Sequence, residues 1–507
     1  MPETYLHGVE VVEIDDGPRA IGTVRSSVIG IVGTAPNAQQ EVKSSLATGI
    51  VSGNNALTWT AKLTGALGNT VSIFLRDPKS NNATLSVSSS GTDITVNLAT
   101  GPTGTITTTA AQVKTAIEAN TSAAALVTVA NTGASTGASA VTPSPRPQYL
   151  SGGIDEAFPL NTPVLIAGSR AEAAKLGATG TLPNALDLIL DQAGAVVVVV
   201  RVAQANNSDT DPGTITNVIG GVDAVTGDYK GVQSFLSAES LLGVTPRILI
   251  APGFTNQRTS GANPVVAEMI GLANRLRAVI IADGPSTTDA AAITYRGDFG
   301  SKRVYVVDPF VKVFRNGQYV HEPASSVVAG LIAKSDNDRG FWWSPSNQEI
   351  AGVVGTQRGI DFVLGDANCR ANLLNEQEVA TIIRKDGYRL WGNRTCSSDQ
   401  KWAFLSVVRT ADMLNESILQ AHLWAVDRNI TRTYIEDVEA GVNAYLDRLK
   451  AQGAILGGEC KGNKDLNTPA NIADGKVFFD VRFTPPFPAE HVTFRSILTN
   501  DYIEEVL

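Results

Sequence analysis

The sequence predicts an α/β core interrupted by an inserted, mostly-β module and followed by an α+β carboxy-terminal domain, with extended terminal arms. Three observations predict it. Between about 154 and 365, continuous apolar runs alternate with helical patterns. Between about 46 and 150, charge is scarce and short Thr-, Ser-, Ala- and Gly-rich alternating runs take over. Beyond about 366, two long amphipathic stripes precede strand-like alternation. A length of 507 residues is ample for several cores.

Residues 1–18 have no core of their own. Val9, Val11, Val12 and Ile14 interleave with Glu10 and Glu13, and the alternation slips phase at Val11–Val12 as in a bulged strand. Two readings stand: a first strand of the main domain, or an arm that adds a strand to a neighbour's sheet edge. Val24–Ala35, with Val28, Ile29, Ile31 and Val32, reads as a buried strand. The module follows, with strands near Leu57–Leu63, Thr70–Leu75, Thr84–Ser88, Asp93–Leu98 and Ala125–Ala130 and a helix over Ala110–Glu118. Pro143, Pro145 and Pro147 mark its exit.

The α/β rhythm then places strands at Val164–Ala167, Ala195–Val202, Arg247–Ala251, Ala278–Ala282 and Val304–Val307. Their unbroken apolar character is that of parallel strands covered on both faces. Helices are expected over Ser169–Leu176, Leu186–Gln192 and Val265–Leu276. Farther on, Ser398 or Asp399 caps a helix striped by Val407, Ala411, Leu414, Ile418, Ala421 and Ala425. Thr433 and Glu436 fit a capping box for a second helix that ends at Gly453. Val477, Phe479, Val481 and Phe483 alternate as a half-buried strand, a further strand is expected over Val492–Leu498, and a short acidic tail holds Tyr502, Ile503 and Val506.

Composition narrows the function. A net charge of -9 with no Lys/Arg run of five argues against nucleic-acid binding. The acidic residues among the first thirty break every apolar stretch, so no secretory leader is expected, and no run is long enough to span a bilayer. Folding in a cytoplasm and no direct membrane insertion are the expectations. Three scattered cysteines (Cys369, Cys396, Cys460) suit free thiols better than disulfides or zinc.

No catalytic, metal or cofactor site is expected. Neither phosphate-binding glycine motif is present. The one G-x-S-x-G match, Gly133–Gly137, lies in the module with no helix after it, whereas a nucleophile elbow needs a strand-to-helix turn. Only His321 lies within the α/β stretch, beside Glu322 and Pro323, where a surface loop suits it. Asp283 and Asp308 follow strands, where α/β enzymes place functional groups and where ordinary turns also put Asp. Asp187 and Asp191 fit a solvated helix face, and Trp342–Trp343 fits packing between domains.

Several features in order along the chain resemble the tail sheath proteins of contractile phage tails, relatives of R-type pyocin and type VI secretion sheaths. They are Tyr5-Leu6-His7-Gly8-Val9-Glu10-Val11, then Ile29-Gly30-Ile31-Val32-Gly33-Thr34-Ala35-Pro36, then Trp391-Gly392-Asn393-Arg394-Thr395, and the closing order of two helices and two strands. The resemblance implies a non-enzymatic virion subunit that polymerises around a tail tube and contracts to drive the tube through the host envelope. It implies a subtilisin-like α/β domain without a triad at 19–45 and 151–365, an inserted β domain at 46–150 and a sheath domain at 366–495. The arms would be 1–18 (Val9, Val11, Val12, Ile14) and 496–507 (Tyr502, Ile503, Val506), received by a neighbour's Val477, Phe479, Val481 and Phe483. Hexameric self-association, tube, baseplate and terminator proteins are the implied partners, and no cofactor is. Arg448, Lys450, Lys461 and Lys464 are the tube-facing candidates, which a solvated helix end also explains. A pyocin-like or type VI-like machine, or a hydrolase on the α/β domain, are the alternatives.

Overall fold

A computed structural model describes residues 21–258 and 261–500. The chain divides into two compact units. One comprises Pro36–Pro159 with Lys175–Gly177; the other takes the described residues up to Ala35, Leu160–Ala174 and those from Ala178 onward.

The first unit contains the Thr/Ser-rich stretch. It carries a three-stranded sheet (Ser45–Thr48, Leu57–Ala61, Val127–Asn131) and a four-stranded one (Ser86–Ser90, Asp93–Asn97, Ser72–Arg76, Gln148–Tyr149). Alternate residues of these strands, with Val113 and Ile117 of the helix Ala110–Ala119, close one core around the fully buried Trp59. Thr109 caps that helix in a reciprocal box with Gln112.

The second unit is built on an eight-stranded sheet. Its strands are β1 (Ile29–Thr34), β2 (Pro163–Ala167), β3 (Val196–Val202), β4 (Ile248–Ile250), β5 (Val279–Asp283), β6 (Val304–Val307), β7 (Val379–Arg384) and β8 (Tyr388–Trp391). Their order is β8-β7-β6-β5-β4-β1-β3-β2, so β1 sits in the interior, between β3 and β4. The six strands from β7 to β3 run parallel. Two expectations are corrected. Val164–Ala167 forms an antiparallel edge on β3: the chain leaves it through the helices Arg170–Ala174 and Leu182–Gln192 and returns as Val196–Val202 in the opposite sense. The sheet also continues through Trp391, past the change of texture near 365, because the hairpin β7–β8 adds to β6.

Helices cover the sheet. Val32, Val198, Leu249 and Ile280 share a core with Val265, Met269 and Leu272 of α2 (Pro264–Leu276). Ahead of it, α1 (Leu182–Gln192) packs against α3 (Ala324–Arg339), which lies on β1, β4 and β5. β1 needs glycine where it is crossed: a Cβ on Gly33 would stand 2.3 Å from Thr181 Oγ1.

Two long helices follow, α4 (Leu405–Ala421) and α5 (Arg432–Ala451). Their caps differ from expectation. Asp399 caps the short turn Gln400–Trp402, and Thr431 rather than Thr433 accepts the Tyr434 amide of α5. Leu414, Ile418 and Ala421 of α4 and Val438, Val442, Tyr445 and Leu449 of α5 meet in one cluster with Ile21, Phe341, Ala454 and Ile455. A two-stranded antiparallel sheet, β9 (Gly457–Gly462) and β10 (Phe479–Thr484), closes this end of the unit.

Candidate assembly surfaces

The residues with enzymatic potential are committed to structure. Asp283 is buried and accepts the Ser325 amide (2.7 Å), the Ser325 hydroxyl (2.6 Å) and the Thr255 hydroxyl (3.3 Å). Burial pushes its carboxyl up to about 6 against these bonds. Asp308 accepts the Ser286 amide at 2.6 Å and pairs with Arg358, which also pairs with Asp289. His321 is exposed on a hairpin strand opposite Lys312. Ser135 is buried and accepts the amides of Ala56 (3.2 Å) and Gly137 (3.3 Å), so the Gly133–Gly137 match is a closed turn. Asp187 and Asp191 pair with Arg170, and Asp187 also with Arg315. Trp342 packs into the carboxy-terminal cluster, while Trp343 is half exposed under Arg339. Cys369, Cys396 and Cys460 are buried free thiols; burial pushes Cys396 up to about 12 and Cys460 up to about 11. Among the described residues no helix is long and apolar enough to cross a membrane.

Charge is instead concentrated where α4 meets the sheet. Asp412 pairs with Arg303, Glu416 with Arg247 (3.0 Å) and Arg277 (3.2 Å), and Arg409 with Asp336 of α3 (2.5 Å). Most of these side chains are buried, so each ion needs its partner. α4 is thereby bonded to the strands and to α3 by charge as well as by apolar contact. These pairs have no periodic signature in sequence.

The carboxy-terminal sheet has an asymmetric character. Cys460 of β9 and Phe479, Val481 and Phe483 of β10 turn toward the cluster with α5; Val477 precedes the strand and is half-buried. Glu459, Lys461, Asp480 and Arg482 form the exposed face, with Glu459 opposite Arg482 and Lys461 opposite Asp480. The backbone of β9 is occupied by α5: Asn443 bonds both the amide (2.7 Å) and the carbonyl (2.9 Å) of Cys460, and Glu439 accepts the Gly462 amide (2.5 Å). Among the described residues no third strand borders β10. An uncovered strand edge is a template for further pairing.

After β10 the chain continues as an uncovered tail. The strand expected over Val492–Leu498 is absent; residues 485–500 have no regular structure. Phe494 is 91% and Leu498 97% exposed, with Val492 and Ile497 also open to solvent. The apolar pattern there has no partner in its own chain. Its root is held by Arg394, bonded through two nitrogens to Glu490 (2.5–3.0 Å), and by the Phe487 ring against Phe404.

Of the basic candidates, Lys450 and Lys464 are exposed and Lys461 pairs with Glu459 on the outer face. Arg448 is exposed as well but is engaged within its own chain, donating to the Ile21 carbonyl and lying over Tyr445. Val9, Val11, Val12, Ile14, Tyr502, Ile503 and Val506 lie outside the described residues.

An α/β body with its strand-end acids locked away, an open strand edge and an uncovered apolar tail define an assembly subunit. Comparison with known proteins agrees. The phage tail sheath protein central domain matches residues 221–396, and the phage tail sheath C-terminal domain matches 397–499. The tail sheath protein Gp18 domain III N-terminal region matches 121–202. A putative prophage major tail sheath protein of Pseudomonas aeruginosa (strain UCBPP-PA14) is 46% identical over 68% of this chain and 88% of its own length. The tail sheath protein of Escherichia phage P2 is 34% identical over 69% and 89%. That of Burkholderia phage BcepMu is 30% identical over 99% and 98%. Among solved structures, the contracted sheath complex of the PVC extracellular contractile injection system shares the fold at a TM-score of 0.51 and 18% identity, over 69% of this chain and 89% of its own. The contracted helical sheath of the anti-feeding prophage does so at 0.50 and 21%, over 67% and 89%.

The chain belongs to the phage tail sheath protein family. It is a structural subunit of a contractile tail, a component of the virion tail and not an enzyme.

Proposed function

We propose that the subunit polymerises in hexameric rings around a tail tube, each copy lending residues 1–18 and the chain from about 485 to neighbouring copies as arms. The open edge of β10 and the uncovered apolar tail that follows it in the chain carry this reading. Val9, Val11, Val12 and Ile14 of one arm, and Tyr502, Ile503 and Val506 of the other, would pair on the side of β10, since α5 side chains occupy the backbone of β9. A strand laid along the six residues of β10 makes about six backbone bonds, worth ~3–9 kcal/mol before the ordering cost. One such joint is modest, so strength comes from repetition along the lattice. Fifteen extended residues reach about 50 Å, which lets bodies rotate and separate while staying linked. Contraction then needs no nucleotide, because the energy lies in repacking from a metastable extended lattice.

The α/β body we read as a subtilisin-like domain without a triad, comprising 19–45 and the sheet-bearing residues from about 151. The 46–150 stretch we read as an addition; that the Pseudomonas and P2 relatives match only about two thirds of this chain supports an addition to a shared body. Lys450 and Lys464 are the better tube-facing candidates, since Arg448 is engaged within its own chain. Baseplate and terminator proteins are the remaining partners; one solved relative is a component of the anti-feeding prophage baseplate. The test is deletion of residues 1–15. The chain should remain folded and form no sheaths in negative-stain electron microscopy; long sheaths from that variant would end the arm assignment.

A further inference from the structure

Between the amino-terminal residues and the interior of the sheet lies a strap, Ile21–Ser27, with no helix or strand of its own. Four of its seven residues are nonetheless fastened by side chains from three helices. The Ile21 side chain is buried in the α4–α5 cluster, and its carbonyl accepts from Arg448 in the last turn of α5. Thr23 Oγ1 lies 3.2 Å from the Tyr445 hydroxyl. The Val24 amide donates to Ser417 Oγ at 3.1 Å. Ser26 is held twice, its hydroxyl donating to Asp336 (2.7 Å) and its carbonyl accepting from Arg409 (3.1 Å). Those two residues are themselves a buried ion pair joining α3 to α4. Successive strap residues meet Ser417 and then Arg409, so the strap runs antiparallel along about 12 Å of α4.

Two residues later the chain enters β1, which lies between β3 and β4. A pull on the residues before Ile21 that met no fastening would therefore act on an interior strand of the sheet, the least replaceable element of the body. The strap intercepts it. Each of its bonds ends on a helix; the Asp336–Arg409 pair ties α3 to α4, the Asp412–Arg303 and Glu416–Arg247 pairs tie α4 to the sheet, and the apolar cluster joins α5 to α4. We propose that Ile21–Ser27 is the anchor through which tension on the amino-terminal arm passes into α3, α4 and α5 instead of into β1. This rests on the reading of residues 1–18 as an arm, and it assigns Thr23, Ser26 and Ser417 as positioning residues for the inter-subunit joint.

The test uses the full-length chain with Thr23→Ala, Ser26→Ala and Ser417→Ala together, which leaves the arm and every core apolar side chain unchanged. The triple variant should fold, with a thermal midpoint lowered by no more than about 5 °C, and should assemble. Drawn repeatedly through a narrow needle, its sheaths should be at least twofold shorter than the parent's by electron microscopy. Val438→Ala thins the same cluster without touching a strap hydrogen bond. It should lower the midpoint and leave the sheared length unchanged. Triple-variant sheaths as long as the parent's overturn the anchor, as does a Val438→Ala loss of length equal to the triple variant's. The deletion of residues 1–15 separates the two readings. If it abolishes sheaths while the triple variant shears normally, only the anchor fails; if it leaves long sheaths, the arm itself fails.

Discussion

Replacing Asp412 by Ala tests whether α4 is tied to the sheet by charge. Asp412 and Arg303 are 7% and 6% exposed, and among the described residues Arg303 otherwise reaches the Asn274 side chain (3.1 Å) and the Ala278 carbonyl (3.4 Å). Burial raises the Asp412 pKa and the Arg303 guanidinium opposes the rise, so the pair is a balance of desolvation against attraction. Removing one partner leaves a guanidinium without its counter-charge, at a cost of about 3–5 kcal/mol. For a unit of this size that is a fall of roughly 5 °C in thermal midpoint. Replacing both residues, Asp412→Leu with Arg303→Met, removes the stranded charge and should recover at least half of the loss. Scanning calorimetry of the parent, the single and the double variant makes the comparison. A single variant within about 1 kcal/mol of the parent, or a double variant no better than the single, refutes the argument.

Three further outcomes follow from the same structure. The folded pKa of Asp283 lies above its unfolded value, so the stability it contributes is present below about pH 4 and is lost as pH rises through about 6; the full loss is about 3 kcal/mol. Asp308 and Glu322 are shifted upward too, so denaturant unfolding at pH 5 and 7.5 is compared between the parent and Asp283→Asn, and the variant's pH dependence should be flatter by about 1 kcal/mol. Arg394→Ala removes the root contact of the tail; the pair is partly exposed, so the midpoint should barely move, while trypsin cleavage after Arg495 should speed up several-fold. Gly33→Ala places a methyl against Thr181 and should cost about 1–3 kcal/mol in urea unfolding, with the slope unchanged.

The parts legible in sequence were those whose pattern is completed within a single element. β1 and the apolar runs of β3, β5 and β6 read directly, because strands covered on both faces are apolar throughout. The stripes of α4 and α5 read because one face of each is buried. α3 had no stripe to read: every residue from Ala324 to Ala333 is buried, and a helix buried all round shows no period. β9, written Gly-Gly-Glu-Cys-Lys-Gly, buries only Cys460, and its backbone partners are supplied by Asn443 and Glu439 of α5. Val492–Leu498 was misread for the opposite reason. Its apolar pattern is real, but its own chain provides nothing to cover it. The Arg and Asp partners around α4 come from distant segments and leave no trace in local spacing.

The most direct test is a cryo-electron microscopy reconstruction of the assembled sheath at a resolution that traces the backbone. The account predicts that the sheet of β9 and β10 is extended on the β10 side by strands from other copies, one carrying Val9–Ile14 and another the residues beyond Val492. A sheet still two-stranded, with both chain ends folded back on their own body, would contradict it.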